Sequence, residues 1–481
     1  MPTEIVARIE EITKRFAPTN PLNLHSRLFS NRDFDLYEED DDWEKQRKNL
    51  EEKRNKALND ILIYGGINSI IQFAEIVETP WMVGHFLAIH GTSKLDNFLL
   101  PNFLVEENNK LIQFTGGYVW NSHITRGLTW VDELDKSAWS LEQISQFLKF
   151  LPFTYETWER VSKWLGNAEE LYWSKANVNP YEIQSNLLFG INKLINFGRP
   201  HAAIDCLAKM LHDKQPLDKP LAMKALLSAV SSKESPHAMD VHNITEIIKS
   251  LQNDPETNPD DLLQVEWAYL PLLDHYNKSA PLALENRLAS DPSFFCELIR
   301  LLYRSKKAEK SKTEPSESEK AIATNAWTLL HEWKTLPGTN SDGQFLEEKF
   351  QEWYEKVKNS CIESGHLEVA LTHIGHILFY SPPDPQGLWI HCTVADVLNS
   401  KDGEDIRTGF SSEAINSRGM HWIDPTGKPE RELAELYRKK AEDAENSGFQ
   451  RFAVALRTLA KEYDFEAERI IAEHKDEQES E

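Results

Sequence analysis

Glycine is scarce in this chain, 20 in 481 residues. Runs of Val, Ile and Thr that would mark strands are rare too. Leu, Ala, Glu and Lys dominate instead, a mix that favours helix. Cysteine is limited to Cys206, Cys296, Cys361 and Cys392, widely spaced and without a C-x-x-C pair. In a chain of this size that excludes a disulfide framework and points to buried free thiols in a reducing compartment. No apolar run approaches the ~20 residues of a membrane span. Residues 1–16 alternate charge with Ile5, Ile9, Ile12 and Phe16, which predicts an amphipathic helix rather than a signal peptide. The expectation is a cytoplasmic protein without membrane contact.

Positive charge is also short. Lys and Arg number 53 against 77 Asp and Glu, a formal net charge of −24. Such a surface repels phosphate backbones and anionic lipid, and no basic stripe reverses it locally, so nucleic acid is not an expected partner. The phosphate cradles G-x-x-x-x-G-K-[ST] and G-x-G-x-x-G are missing, as are the nucleophile elbow G-x-S-x-G and the zinc helix motif H-E-x-x-H. No acid and base stand out from the many carboxylates. The chain is expected to use no cofactor and to be non-enzymatic.

What is present is a succession of helices. Hydrophobic residues make up 40% and charged residues 27%, enough to bury a core, and the length exceeds one ordinary core unless the fold is a repeat array. Ile183, Leu187, Ile191 and Leu194 keep helical spacing, with Gly198 and Pro200 as stop signals. Further helices present Ile204, Leu207 and Leu211, then Met223, Leu226 and Val230, then Val241, Ile244, Ile248 and Leu251. Asn258-Pro259 and Asp291-Pro292 each put a capping side chain before a first-turn proline. Helix starts recur about every 20 residues, a pair period of ~40, the range of helix-pair solenoids. The segments Gly198-Arg-Pro-His-Ala-Ala-Ile-Asp-Cys-Leu207 and Gly365-His-Leu-Glu-Val-Ala-Leu-Thr-His-Ile374 both set a turn glycine before a helix whose alanine, Ala203 or Ala370, can face the preceding helix. This resembles the second helix of a tetratricopeptide-type repeat. The predicted fold is all-α: an α-solenoid of stacked helix pairs, TPR- or HEAT-like, over 1–304, a charged flexible linker at 305–320, and a smaller helical domain over 321–481.

Two regions stay open. Leu111 to Leu134, with Gly116-Gly117 inside, could form a hairpin or two short helices, and the surroundings favour helix. The acidic cluster Glu38 to Asp42 precedes a charged helix from about Trp43 to Leu62, which is either a solvated face or an acidic docking surface. The closing helices are expected from Pro429 to Gly448 and around Phe452 to Tyr463, with a frayed polar tail after Glu473.

Three groups of residues are candidates for function. His373 and His376 stand i,i+3 on one helix, a spacing that can place two metal ligands on one face, with His366, His391, Cys361 and Cys392 nearby in sequence. The loop Asn416 to Gly427 combines Arg418, His421, Trp422 and Asp424 with two glycines. It is either a recognition loop or a tie for the closing helices, with Trp422 buried and Arg418 paired to Asp424. The 14 tryptophans are mostly core wedges between helices, and a minority could line a concave binding face.

Several short stretches resemble the C-terminal helical regions of large bacterial proteins, among them STAND-type NTPases of anti-phage defence. They are Phe153-Thr-Tyr-Glu-Thr-Trp158, Leu171-Tyr-Trp173, Val265 to Leu273, Leu288 to Phe295, Asn416-Ser-Arg-Gly419, Glu430-Arg-Glu-Leu-Ala434 and Tyr437-Arg438. The resemblance spans about Phe153 to Ile471. In those proteins the helical repeats sense an intruding phage protein. This chain has neither an NTPase module nor an effector, so the resemblance implies a sensor portion or a separately encoded helical partner. The expected function is binding of another protein, as sensor or scaffold subunit. The alternatives are a metal-dependent enzyme near His373 and His376, or a constitutive structural subunit.

Overall fold

The computed structural model describes residues 6, 8–9, 11–12, 18–36, 42–183, 185–273, 275, 279–307, 316–340, 343–419 and 422–480. It is 73% helical. Among the described residues no strand forms, and an isolated antiparallel bridge joins Thr339 and Phe345. The chain is all-α. No helix among the described residues is long and apolar enough to cross a membrane. Most of the expected helix over 1–16, and residues 38–41 of the acidic cluster, lie outside the described residues.

The chain divides into two compact units, Met1–Ile244 and Thr245–Glu481. In the first, the main helices are Trp43–Ile76, Pro80–Leu87, Ser93–Phe103, Asn109–Glu133, Leu141–Lys149, Tyr155–Leu165, Leu187–Asn196, Pro200–His212 and Lys219–Val230. Local chemistry sets their starts. Asp42 accepts from the Lys45 amide, Ser140 and Gln143 form a reciprocal cap, and Asp218 accepts from the Leu221 amide ahead of first-turn Pro220. Ile183 falls outside the helix that begins at Leu187. The charged helix runs past Leu62 to Ile76, bending at Gly65 and at Gly66, whose φ of 67° is open to glycine.

The ambiguous stretch 111–134 is helical within Asn109–Glu133, with a kink at Gly127, where φ is 69°, and the Gly116-Gly117 pair is not a turn. A Cβ on Gly117 would stand 1.9 Å from the Trp81 carbonyl oxygen, and one on Gly84 would stand 1.8 Å from that of Phe114. The helices Pro80–Leu87 and Asn109–Glu133 therefore touch backbone to backbone. Beside this contact the buried carboxylate of Asp96 takes two hydrogen bonds from Arg126, one from the Tyr118 hydroxyl at 2.6 Å and one from the Trp130 indole at 3.2 Å. Every charge in that network is paired, which is what tolerates a carboxylate in the interior.

The second unit has one continuous apolar core. Phe295, from the helix Pro292–Leu302, meets Trp353 of the helix Glu347–Ser364 at 5.3 Å and Trp333 at 5.8 Å. Residues on both sides of 305–320 thus share a core. The described part of that segment is bonded to the unit's surface, with the Lys306 amide on the Gly365 carbonyl and the Ser305 hydroxyl on that of Ser364; residues 308–315 lie outside the described residues. Absence of apolar periodicity marks a surface loop, which does not require a boundary between cores. A second backbone contact joins the helices Leu367–Leu378 and Glu404–Asn416: a Cβ on Gly375 would stand 2.1 Å from the Ile406 carbonyl oxygen, and one on Gly409 2.0 Å from that of Thr372. Ala203 and Ala370 are fully buried. The closing helices are Lys428–Asn446 and Gln450–Ser480, so the polar end continues as helix to Ser480.

Adding one methyl group at either contact must push the helices apart. Gly117→Ala and Gly375→Ala are each expected to destabilise their own unit by about 1–3 kcal/mol. Urea denaturation followed by circular dichroism checks this, and an unchanged midpoint would contradict the close approach.

Candidate functional site

The loop that joins the helix Glu404–Asn416 to the helix Lys428–Asn446 has a rigid stem. Arg418 donates to Glu430 at 2.8 Å, and the Glu430 side chain is 1% exposed. The Arg418 guanidinium also stands 5.5 Å above the Tyr463 ring, and the Tyr463 hydroxyl donates to the Ala414 carbonyl at 2.9 Å. On the other side Asp424 accepts from the amide and hydroxyl of Thr426, and these bonds hold its carboxyl below the usual range. Gly427, with φ 61°, lies against Ala467, where a Cβ would stand 2.8 Å from the carbonyl oxygen. Chain entry and exit are therefore both fixed.

The tip behaves differently. Trp422 is 91% exposed and Ile423 is 60% exposed. The reading in which Trp422 is buried and Arg418 pairs with Asp424 does not describe this loop: Arg418 bonds Glu430, and the indole faces solvent. His421 lies outside the described residues. The helix from which the loop departs forms, with the helix Gln450–Ser480, a surface groove of about 660 Å³ whose lining includes Ile415, Val454, Ala455, Arg407, Arg451 and Glu462. Ile415 and Val454 are exposed there. The groove offers apolar carbon between charges of both signs.

The histidine-rich stretch separates into different environments. His373 and His376 have ring centroids 5.6 Å apart and line a cleft of about 420 Å³ with Tyr303, Trp327 and His331. His373 Nε2 pairs with the Tyr303 hydroxyl at 2.8 Å. Burial first, then the neighbouring His376 and His331, pull His373 down to about 4. His376 is lowered by burial and by His331. The His373 ring is neutral at pH 7. His366 lines the same cleft and bonds Ser364 and the Tyr303 carbonyl, whereas His391 caps the helix Cys392–Asn399 through the Thr393 amide. Sγ of Cys361 lies 3.8 Å from that of Cys296, 65 residues earlier. Among the described residues, three metal-ligating side chains bring their donor atoms within 4.8 Å of one another only at Asp205, His237 and Asp240. Sequence reading passed over that group, because its members lie in two segments more than thirty residues apart.

Comparison with family models, with curated proteins and with solved structures returns no match for the chain.

His373 sets a pH dependence. Its folded value lies below the 6.5 of the unfolded chain, so the unfolded state binds the extra proton between the two. The stability held at this group is complete above pH 6.5 and is lost as pH falls towards 4. Between pH 7 and pH 5 the wild type is expected to lose about 2 kcal/mol more than His373→Gln, at 1.36 kcal/mol per unit. Urea titrations at the two pH values measure it, and equal losses would mean the ring is not held neutral.

Proposed function

We propose that this chain is a non-enzymatic, cytoplasmic helical protein that binds another protein through the Trp422 loop, as a sensor or scaffold subunit of a bacterial anti-phage system. The observation that carries the reading is the exposed Trp422–Ile423 tip on a stem locked by Arg418–Glu430 and Asp424–Thr426. A large aromatic side chain held out by a fixed frame loses little conformational freedom on binding, and tryptophan and arginine are enriched where binding energy concentrates. The neighbouring groove supplies apolar contact with a charged rim, the composition of protein interfaces. The four free cysteines support a reducing compartment. The defence setting rests on the resemblance of the helical stretches to STAND-type sensor regions. Catalysis at His373 and His376 is less well supported, since Tyr303 already occupies one ring nitrogen of His373.

The test uses tagged full-length protein purified from its native host before and after phage challenge, with co-purifying proteins quantified by mass spectrometry. Trp422→Ala is expected to weaken the partner by about 2 kcal/mol, roughly thirty-fold in Kd. Ile63→Ala/Tyr64→Ala, an exposed apolar pair of the other unit, is expected to retain it. A partner found in both conditions indicates a constitutive subunit, and one found only after challenge indicates a sensor. A partner recovered equally by Trp422→Ala, or none at all, would overturn the proposal.

A further inference from the structure

The segment that resembles a repeat helix carries a second pattern. His201 and Asp205 stand i,i+4 on the helix Pro200–His212, so they share one face. Thirty residues later Glu234, His237 and Asp240 follow at intervals of three, just before and at the start of the helix Asp240–Gln252. The fold brings both sets together. His237 Nδ1 lies 2.6 Å from Asp205 Oδ2, and its Nε2 lies 3.7 Å from Glu234 Oε1. The His237 amide donates to Asp240 Oδ2 at 2.7 Å, and Asn243 Nδ2 donates to Asp205 Oδ1 at 2.9 Å. Glu234 is held in place by Arg199 and by the His201 amide.

A plain network of hydrogen bonds accounts for these pairs and leaves two atoms over. Asp240 Oδ1 has no hydrogen-bond partner among the described residues, although the side chain is 6% exposed. His201 Nδ1 is also without one: it lies 2.7 Å from Asp240 Oδ2 but outside hydrogen-bond geometry. A buried carboxylate oxygen and a buried imidazole nitrogen left without a hydrogen bond are costly. Charge points the same way. Asp205, Glu234 and Asp240 carry three negative charges, and Arg199 is the fixed cation the network contains among the described residues. The carboxylates and Arg199 together sum to −2.

We propose that Asp205, His237 and Asp240 bind a divalent transition-metal ion, zinc by preference, with His201, which lies outside that close group but has Nδ1 2.7 Å from Asp240 Oδ2, turning in as the fourth donor. Two imidazoles and two carboxylates suit zinc or another first-row divalent ion. Magnesium and calcium prefer all-oxygen sites. Donors about 2 Å from a tetrahedral ion stand about 3.3 Å apart, so the 2.6 Å contact between His237 and Asp205 needs to open by less than about 1 Å. Glu234 and Asn243 act as positioning residues, orienting His237 and Asp205. The ion satisfies the two atoms that lack hydrogen bonds, cancels the charge, and fastens the segment before Asp240 to the helix Pro200–His212. This site lies in the first unit and does not depend on the reading of the Trp422 loop.

The test uses the full-length protein after dialysis against a chelator. Zinc is titrated by calorimetry, cobalt(II) by its visible absorption, and magnesium serves as control. The expected result is one zinc per chain, a rise in Tm with zinc and none with magnesium, and a tetrahedral cobalt spectrum. Asp205→Asn, which keeps the shape, and His237→Ala are each expected to weaken zinc at least ten-fold, whereas His373→Ala/His376→Ala leaves it unchanged. The cobalt spectrum of the wild type decides the matter even if a variant fails to fold. No stoichiometric uptake would overturn the proposal. So would an octahedral cobalt spectrum, or uptake lost in His373→Ala/His376→Ala.

Discussion

Two helices that touch through their peptide backbones leave no room for a Cβ on either side, and each unit of this chain is organised around such a contact. In the first, Gly84 and Gly117 let the helices Pro80–Leu87 and Asn109–Glu133 meet. In the second, Gly375 and Gly409 do the same for Leu367–Leu378 and Glu404–Asn416. These four glycines set the spacing where one helix backbone meets another. That spacing has consequences along each helix. Tyr118 follows Gly117 directly, and its hydroxyl closes the hydrogen bonds around Asp96. Gly375 lies between His373 and His376. Turning the glycine face towards Glu404–Asn416 leaves the two imidazoles for the cleft beside Tyr303.

Exposure of a single apolar side chain is ordinary in a folded protein. Phe465 and Tyr181 are both well exposed here and carry no argument alone. Trp422 differs in what surrounds it. Arg418 ties the start of its loop to buried Glu430, Gly427 lies against Ala467 at its end, and the next side chain, Ile423, is exposed as well. A loop so tied could have folded its indole against the helices, and it does not. The stem and the tip therefore do separate jobs: the first removes flexibility, and the second presents surface.

Much of the local structure was legible. Asn258 and Asp291 ahead of their prolines do cap helices, each accepting from two backbone amides. The expected run of helices from 187 to 302 is present with small shifts at the ends. The glycine pair at 116–117 was harder to read, because glycine marks both a turn and a close contact, and the difference lies in what packs opposite. The histidines at 373 and 376 drew attention through their i,i+3 spacing. The spacing of His201 with Asp205, and of Glu234, His237 and Asp240, is equally regular, but each set alone is an ordinary polar helix face or loop.

The amino-acid sequence by itself determined the helical class, the starts of most helices and the surplus of negative charge. Those properties depend on side chains acting on backbone within about four residues, or on composition alone. The tertiary structure decided which glycines touch a neighbouring backbone, which side of 305–320 shares a core with the other, and which acidic and imidazole groups meet. It also decided that Arg418 bonds Glu430 rather than Asp424. Each of these joins residues from twelve to more than sixty positions apart, and only packing of one helix on another brings such groups within bonding distance.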